Sequence, residues 1–186
     1  SMNSETKKLC GEILQKLLKK YDQRSVKQVD TKRRITLRPS EIYKAYAANN
    51  ADIRQKETIN EAVHQLESKQ LVTVKRLKYS DEIEKIYMSE DSVSSAQDFL
   101  RNQCGIIPRD QIKEEVFGLF EDYEHGGVLV HAYCASLRQH LNETADEIAF
   151  SRIEANLKMI DFLEKNRKAL YVREASILVY GDSKWF

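Results

Sequence analysis

Apolar residues recur every three or four positions near the start of the chain, with lysines between them; they are Leu9, Ile13, Leu17 and Leu18. This spacing predicts an amphipathic helix over residues 5–21. A short strand is expected at residues 33–37. Pro39 then marks the start of a second predicted helix, because proline is favoured in the first helical turn, and this helix ends at residues 49–50.

A third helical pattern covers residues 54–68, and its apolar face is formed by Ile59, Ala62, Val63 and Leu66. The pattern then becomes β-like over residues 71–79. A turn at residues 80–82 leads into a return strand at residues 83–88. Helix, strand, two helices and a hairpin follow one another in the order of a winged helix, in which the hairpin is the wing.

The rest of the chain predicts mainly helices, at residues 94–104, 110–123, 128–141 and 145–166. Glycines at positions 105, 126 and 127 separate the first three of these helices. Residues 170–180 are rich in β-branched and aromatic side chains and predict a short β segment. We therefore expect an α+β, mainly helical protein, with a helix and a winged-helix domain in residues 1–90. Residues 91–186 should form a mostly helical module ending in the β segment.

The net charge of +1 hides an uneven distribution of charge. Residues 1–90 hold 19 basic and 13 acidic residues, whereas residues 91–186 hold 11 and 16. The strongest excess lies in residues 7–38, with 11 basic and 3 acidic residues. The basic first half favours contact with a polyanion, and the acidic second half favours contact with protein or solvent. The alternative is a pair of solvated faces of unlike charge.

Membrane insertion and secretion are not indicated by the sequence. The longest apolar runs are far shorter than the ~20 residues that a membrane helix needs, and the first twenty residues are charged throughout. The cysteines, Cys10, Cys104 and Cys134, are odd in number and far apart. They fit reduced thiols better than disulfides or a zinc site, so we expect a cytoplasmic protein.

Catalytic motifs are missing from the sequence. It contains no glycine-rich phosphate loop, no H-E-x-x-H, no G-x-S-x-G and no Asp-x-Asp pair for Mg²⁺. The histidines do not cluster at metal-ligand spacing; they are His64, His125, His131 and His140. From the sequence we therefore expect no catalytic residue, no metal ligand and no cofactor in this chain.

Candidate DNA-binding residues occur in two groups. The first group flanks the predicted strand and the wing, where phosphates are usually met, and consists of Lys32, Arg33, Arg34, Arg38, Lys75, Arg76 and Lys78. The second group lies on the polar face of the predicted recognition helix and consists of Lys56, Asn60, His64 and Gln65. Three glutamates share that face and repel phosphate, so we expect backbone and shape recognition more than base reading. Four tyrosines are expected to pack in the core or the hairpin, with stacking on bases as the less favoured alternative; they are Tyr43, Tyr46, Tyr79 and Tyr87.

Three stretches together resemble the N-terminal region of JetD-type proteins, the nuclease subunits of Wadjet anti-plasmid systems. The first is residues 19–25, KKYDQRS, after the first helix. The second is residues 59–72, INEAVHQLESKQLV, with IEKIY following at residues 83–87. The third and most specific is residues 172–184, VREASILVYGDSK.

The resemblance implies a winged-helix region followed by a Toprim domain that binds Mg²⁺ with carboxylates, as in the A subunit of topoisomerase VI. Family members act as homodimers beside an SMC-type ATPase complex and cleave plasmid DNA. This sequence ends two residues after Lys184, where the family continues into Toprim, so we expect a non-catalytic piece that binds double-stranded DNA. The motif residues are expected to form a hinge or to position DNA; they are Arg173, Glu174, Gly181, Asp182, Ser183 and Lys184.

Two other functions remain open. The chain could be a free-standing winged-helix transcription regulator whose second half dimerises or binds an effector. It could instead be an adaptor that binds a protein partner through the winged helix. Salt-dependent binding of duplex DNA would separate the adaptor from the other two functions.

Overall fold

The computed structural model describes residues 2–28 and 32–167, which form two compact units divided between Pro108 and Arg109. The first unit contains helix α1 (Ser4–Val26), strand β1 (Ile35–Leu37), helix α2 (Ile53–Ser68), strands β2 (Thr73–Arg76) and β3 (Ile83–Met88), and helix α3 (Val93–Cys104). The second contains helices α4 (Arg109–Glu121), α5 (Val128–Glu143) and α6 (Phe150–Lys165). The expected β segment at residues 170–180 lies outside the described residues. None of the described helices is both long enough and apolar enough to cross a membrane.

Helix α1 begins at a side-chain cap and buries one apolar face. The Asn3 side chain accepts a hydrogen bond from the backbone N–H of Thr6 at 2.8 Å, which satisfies a donor of the first turn. The predicted apolar face is confirmed, since Ile13, Leu17 and Leu18 are buried. The helix runs five residues past its predicted end at residue 21, because its polar last turns are compatible with helical geometry.

The three strands form one antiparallel sheet in the order β1-β3-β2. In the register of β1 on β3, Ile35 lies opposite Met88 and Leu37 lies opposite Ile86. All four side chains are buried, because alternate residues of a strand point to the same face. This face shares one hydrophobic core with α1, α2 and α3. The apolar face of α2 and the hairpin are confirmed, although β2 covers only residues 73–76 of the predicted β run at residues 71–79.

The predicted helix at residues 39–50 is wrong. Only Pro39–Glu41 forms a short 3₁₀ turn, and the following residues make successive turns, closed by backbone bonds such as those from Tyr46 N–H to the Tyr43 carbonyl and from Ala48 N–H to the Ala45 carbonyl. Buried Tyr46 explains the difference: its hydroxyl donates to Asn60 Oδ1 at 2.6 Å and accepts from the Ile83 amide at 3.0 Å. These contacts fix the segment in a non-helical path, so tertiary hydrogen bonding overrides helical propensity.

Helix α3 belongs to the first unit, although the sequence places a boundary near residue 90. Its side chains Ala96, Phe99 and Leu100 are buried in the core that α1 and α2 share. Gly105 then ends the helix in the left-handed conformation, with φ of 64°, which glycine adopts without steric cost. The division between the units therefore follows α3 rather than the hairpin.

The second unit has its own apolar core, built by α4, α5 and α6 around Val116, Tyr133, Leu137, Ile153 and Leu157. The Arg109 guanidinium donates to the carbonyl oxygens of Leu141, Thr144 and Asp146 at 3.2, 3.0 and 2.7 Å. These contacts satisfy acceptors at and just beyond the C-terminal end of α5. The predicted helix at residues 145–166 starts only at Phe150, because the residues before it form an extended connection.

Candidate nucleic-acid interface

One side of α1 carries a stripe of basic residues. Lys16, Lys20, Arg24 and Lys27 follow one another at intervals of four, four and three residues. Residues three or four apart are neighbours on a helix surface, so the four side chains lie along one side of α1. Lys16, Lys20, Arg24 and Lys27 are not among the DNA-binding residues predicted above, although their spacing is visible in the sequence.

Two of these residues tie α1 to the segment that leads into β1. Arg24 Nη1 donates to the backbone carbonyls of Arg33 at 2.9 Å and Arg34 at 3.2 Å. Lys20 Nζ donates to the carbonyl of Thr36 at 2.9 Å. These hydrogen bonds from Arg24 and Lys20 hold the start of β1 beside the basic stripe on α1. We call the resulting surface the basic edge; it comprises Lys16, Lys20, Arg24, Lys27, Lys32, Arg33 and Arg34.

One carboxylate offsets part of this positive charge. Glu41 lies 2.7 Å from Lys20 Nζ. Partial burial opposes ionisation of this carboxyl, but hydrogen bonds from the Lys20 ammonium and the Arg38 amide outweigh it and lower the pKa of Glu41. Lys27 and Arg33 are exposed and form no ion pair with any residue that the structure describes. The basic edge therefore keeps an excess of positive charge facing solvent.

Arg34 stacks on an aromatic ring at this edge. Its guanidinium carbon lies 4.0 Å from the centre of the Tyr87 ring, on the solvent side of the sheet. A guanidinium placed over a ring keeps N–H groups at its rim that can bind a phosphate. The predicted packing role of Tyr87 in the hairpin therefore takes the form of a platform for Arg34.

Three of the four basic residues predicted on α2 and the hairpin have acidic partners within the unit; the fourth, Lys78, lies at the hairpin tip. Lys56 lies 3.1 Å from Glu82. The Arg76 guanidinium bonds both Glu67 oxygens, at 2.9 and 3.2 Å. This hydrogen bonding lowers the pKa of Glu67. Lys75 is 3.3 Å from Glu84. Since each of the three charges has an acidic partner, this surface offers less net charge to phosphate than the sequence suggests.

The predicted base-contacting residues are partly occupied as well. Asn60 accepts the hydrogen bond from Tyr46, and Gln65 Nε2 donates to Glu61 at 2.8 Å. His64 is exposed on the same face. Lys32, Arg33 and Arg34 belong to the basic edge, whereas Arg38 follows the far end of β1. The structure thus divides the candidate residues between two surfaces of the first unit.

Tyr79 departs most from its predicted role. We expect it from the sequence to pack in the hairpin, but it is 96% exposed at the hairpin tip. The prediction fails because the residue occupies a tight turn, where the side chain projects away from both strands. Tyr46 is buried as predicted, and Tyr43 packs partly against the same core.

The cysteines and the possible metal ligands in the described parts of the chain form neither a reactive thiol nor a metal-binding group. Burial raises the pKa of the Cys10 thiol to about 12 and also raises the pKa of Cys104 and Cys134, so these thiols are protonated and weakly nucleophilic. Within residues 2–28 and 32–167, no three His, Cys, Asp or Glu side chains group as a metal site. The motif residues from Arg173 to Lys184 lie outside the described residues.

The fold and the site define a class: a mainly helical α+β protein of two units, with a small antiparallel sheet and a basic edge on the first unit. Comparisons with protein-family models, curated proteins and solved structures found no match to this chain.

Proposed function

We propose that the first unit is a winged-helix domain that binds duplex DNA through the phosphate backbone. The order α1, β1, α2, β2, β3 and the sheet order β1-β3-β2 support the proposal. In this assignment α2 is the recognition helix and the hairpin of β2 and β3 is the wing. The turns at residues 39–50 take the place of the helix that usually precedes the recognition helix.

The basic edge is the observation that carries the proposal. Exposed arginines and lysines neutralise phosphates and release counterions, which gives affinity without sequence reading. The outward face of α2, by contrast, bears Glu57, Glu61 and Glu67. Acidic side chains there disfavour close insertion into a groove. The balance of charges therefore favours backbone binding with little base discrimination.

We further propose that the chain is the DNA-engaging, assembly-organising part of a Wadjet-type nuclease subunit. The three stretches that resemble JetD-type proteins support this role, and so does a basic edge suited to duplex DNA. In that setting the partners are a second copy of the subunit and an SMC-type ATPase complex. Strand cleavage belongs to a Mg²⁺-binding Toprim domain, and the chain's own contribution is not catalytic.

Fluorescence anisotropy tests the DNA-binding proposal. Two labelled duplexes of equal length and unrelated sequence are titrated at several salt concentrations. We expect similar affinities for both duplexes, falling linearly on a log–log plot with a slope of about −0.9 for each phosphate contact. A strong preference for one duplex would favour the transcription regulator, and salt-independent or absent binding would contradict the proposal.

A protein-binding adaptor is the second candidate; the exposed apolar side chains that favour it lie on the second unit rather than on the winged helix of the adaptor expected from the sequence. Val128 at the start of α5 is 82% exposed, and Phe162 on α6 is 60% exposed. Met159, three residues before Phe162 on the same side of α6, is 46% exposed. Adjoining exposed apolar side chains mark protein contacts more often than scattered ones do. Absence of DNA binding, together with self-association that Phe162→Ser abolishes, would favour this candidate.

A further inference from the structure

The tip of the hairpin holds a tyrosine that the turn itself does not need. Tyr79 has a φ of 60°, a left-handed conformation that is costly for a bulky residue and favours glycine or asparagine. The turn is closed by other groups: the Leu77 amide donates to Glu82 O at 2.9 Å, and the Glu82 amide donates to Ser80 Oγ at 3.0 Å. A smaller residue would serve this turn better, so the tyrosine ring points to a role outside folding.

The ring presents an open aromatic face beside a positive charge. Lys78 Nζ lies 5.3 Å from the ring centre, over one face, and the rest of the ring is exposed. Lys78 lies at the hairpin tip and has no acidic partner among the described residues, whereas Lys75 and Arg76 are paired. Asp81, three residues after Lys78, is the opposing charge at the tip. An aromatic face with an adjacent ammonium matches a nucleobase with its flanking phosphate.

A protein partner fits this tip less well. A stable protein interface covers roughly 800 Å² on each partner. The large apolar side chains exposed near the tip are Tyr79, Leu77 and, on the first turn of α2, Ile53. The Lys56–Glu82 ion pair holds that turn beside the base of the hairpin. Three separated side chains are too few for such an interface, whereas one ring suffices to stack on one base.

The energetics favour a base that is already unpaired. In intact duplex each base stacks on both neighbours, and a protein ring that enters must first separate them. A bulged base has lost its pairing partner, so its displacement costs much less. A single tyrosine with one lysine offers too little interaction to open intact duplex and enough to hold a displaced base.

We propose that Tyr79 stacks on an unpaired base within duplex DNA, with Lys78 contacting the adjacent phosphate. The ligand class is duplex DNA that contains a single-base bulge or a similar interruption. This inference rests on the proposed function, because the basic edge supplies the general affinity on which the preference acts. The tip then makes the chain a detector of locally distorted DNA rather than a uniform backbone binder.

Two labelled duplexes test the inference, identical except that one carries a single-base bulge. We expect the wild-type protein to bind the bulged duplex about tenfold more tightly, the size of one aromatic–base stack. Tyr79→Asn suits the left-handed backbone but removes the ring, so it should bind both duplexes equally and match wild type on paired DNA. Tyr79→Trp keeps an aromatic face and should retain the preference. Lys78→Gln should lower the salt dependence on the bulged duplex.

The outcomes separate the inference from the proposed function. If the wild type binds neither duplex in a salt-dependent way, the proposed function fails and the inference falls with it. If it binds both duplexes equally, or Tyr79→Asn keeps the preference, only the inference is overturned. A shift in oligomeric mass on Tyr79→Asn in sedimentation velocity, with DNA affinities unchanged, would assign the ring to a protein contact and also overturn it.

Discussion

The Tyr46 hydroxyl links three parts of the first unit that are distant in sequence. It sits in the turn segment at residues 39–50, donates to Asn60 on α2 and accepts from the Ile83 amide at the start of β3. The ring is buried, so neither hydrogen bond is easily replaced by water. This single group therefore sets the path of the turn segment and the position of α2 relative to the hairpin.

We predict that Tyr46→Phe lowers the free energy of unfolding by about 1–3 kcal/mol, because it leaves the Ile83 amide and the Asn60 side chain without their partner. Urea denaturation of both proteins measures the difference. Tyr43→Phe is the matched control, since the Tyr43 hydroxyl accepts from the Asp52 amide at an exposed position. Equal losses in the two variants would contradict the bridging role of Tyr46.

Arg76, which the sequence predicts as a DNA contact, forms a structural ion pair with Glu67. Its hydrogen bonds lower the pKa of Glu67, so this carboxyl contributes stability at pH values above its ordinary pKa. That contribution is lost as the pH falls through the lowered pKa of the folded state. We expect Glu67→Gln to reduce the melting temperature at pH 7, and the difference from wild type to shrink on acidification toward pH 3. Parallel melting curves across this range would count against the pair.

The ion pair between Arg76 and Glu67 also leads to a prediction about the salt dependence of DNA binding. Because Glu67 already balances Arg76, we expect Arg76→Gln to leave the salt dependence of duplex binding unchanged, whereas loss of a phosphate contact would reduce the slope by about 0.9. Anisotropy titrations of the variant and the wild type measure the slope. A reduction of that size would restore Arg76 as a phosphate contact.

At the scale of elements, periodic apolar faces are what the sequence specifies best. The buried positions of α2 follow directly from the spacing of Ile59, Ala62, Val63 and Leu66. Gly105 marks the end of α3 in the sequence and in the structure. The turn segment at residues 39–50 was missed because long-range hydrogen bonds shape it. The sequence did not predict that α3 belongs to the first unit, because the local spacing of apolar residues cannot show which hydrophobic core they enter.

Helix α5 depends on a carboxylate from α6 at its first turn. Glu164 Oε1 accepts from the Val130 amide at 2.8 Å, and its carboxylate lies so close to Gly127 that a Cβ there would overlap it. We predict that Gly127→Ala displaces this cap and destabilises the second unit by about 0.5–2 kcal/mol. Gly118→Ala, within α4 with nothing near a new Cβ, should stabilise it by about 0.5–1 kcal/mol. Thermal unfolding of the two variants measures both effects. A stabilising effect of Gly127→Ala would contradict the role of Glu164 as a cap of α5.

At the scale of the whole chain, the count of charges shows where basic residues are in excess, but not which of them have acidic partners. The excess over residues 7–38 coincides with the basic edge. The sequence also nominated Lys56, Lys75 and Arg76, whose acidic partners Glu82, Glu84 and Glu67 lie far enough along the chain that only the fold brings them together. The basic stripe on α1 could be predicted from its spacing. The hydrogen bonds from Lys20 and Arg24 that join it to β1 could not, because they depend on the fold.

The nuclease proposal predicts that the purified chain leaves supercoiled plasmid intact in Mg²⁺ or Mn²⁺. Metal-assisted cleavage needs carboxylates that converge on one ion, whereas Glu41, Glu67, Glu82 and Glu84 each pair with a lysine or an arginine. Agarose gels after long incubation reveal any nicking. Cleavage that Asp182→Ala abolishes would place a catalytic centre in this chain.

The central claim is that the basic edge binds the DNA backbone. The most direct test compares Lys27→Gln/Arg33→Gln with Arg152→Gln/Lys158→Gln on α6, since both double variants remove two exposed positive charges. On a fully paired duplex the account predicts that the first variant lowers the slope of log affinity against log salt by about 0.9 for each lost contact. The second variant should match the wild type. Equal slopes for both variants and the wild type would contradict the claim, because the basic edge would then be a solvated surface without a DNA partner.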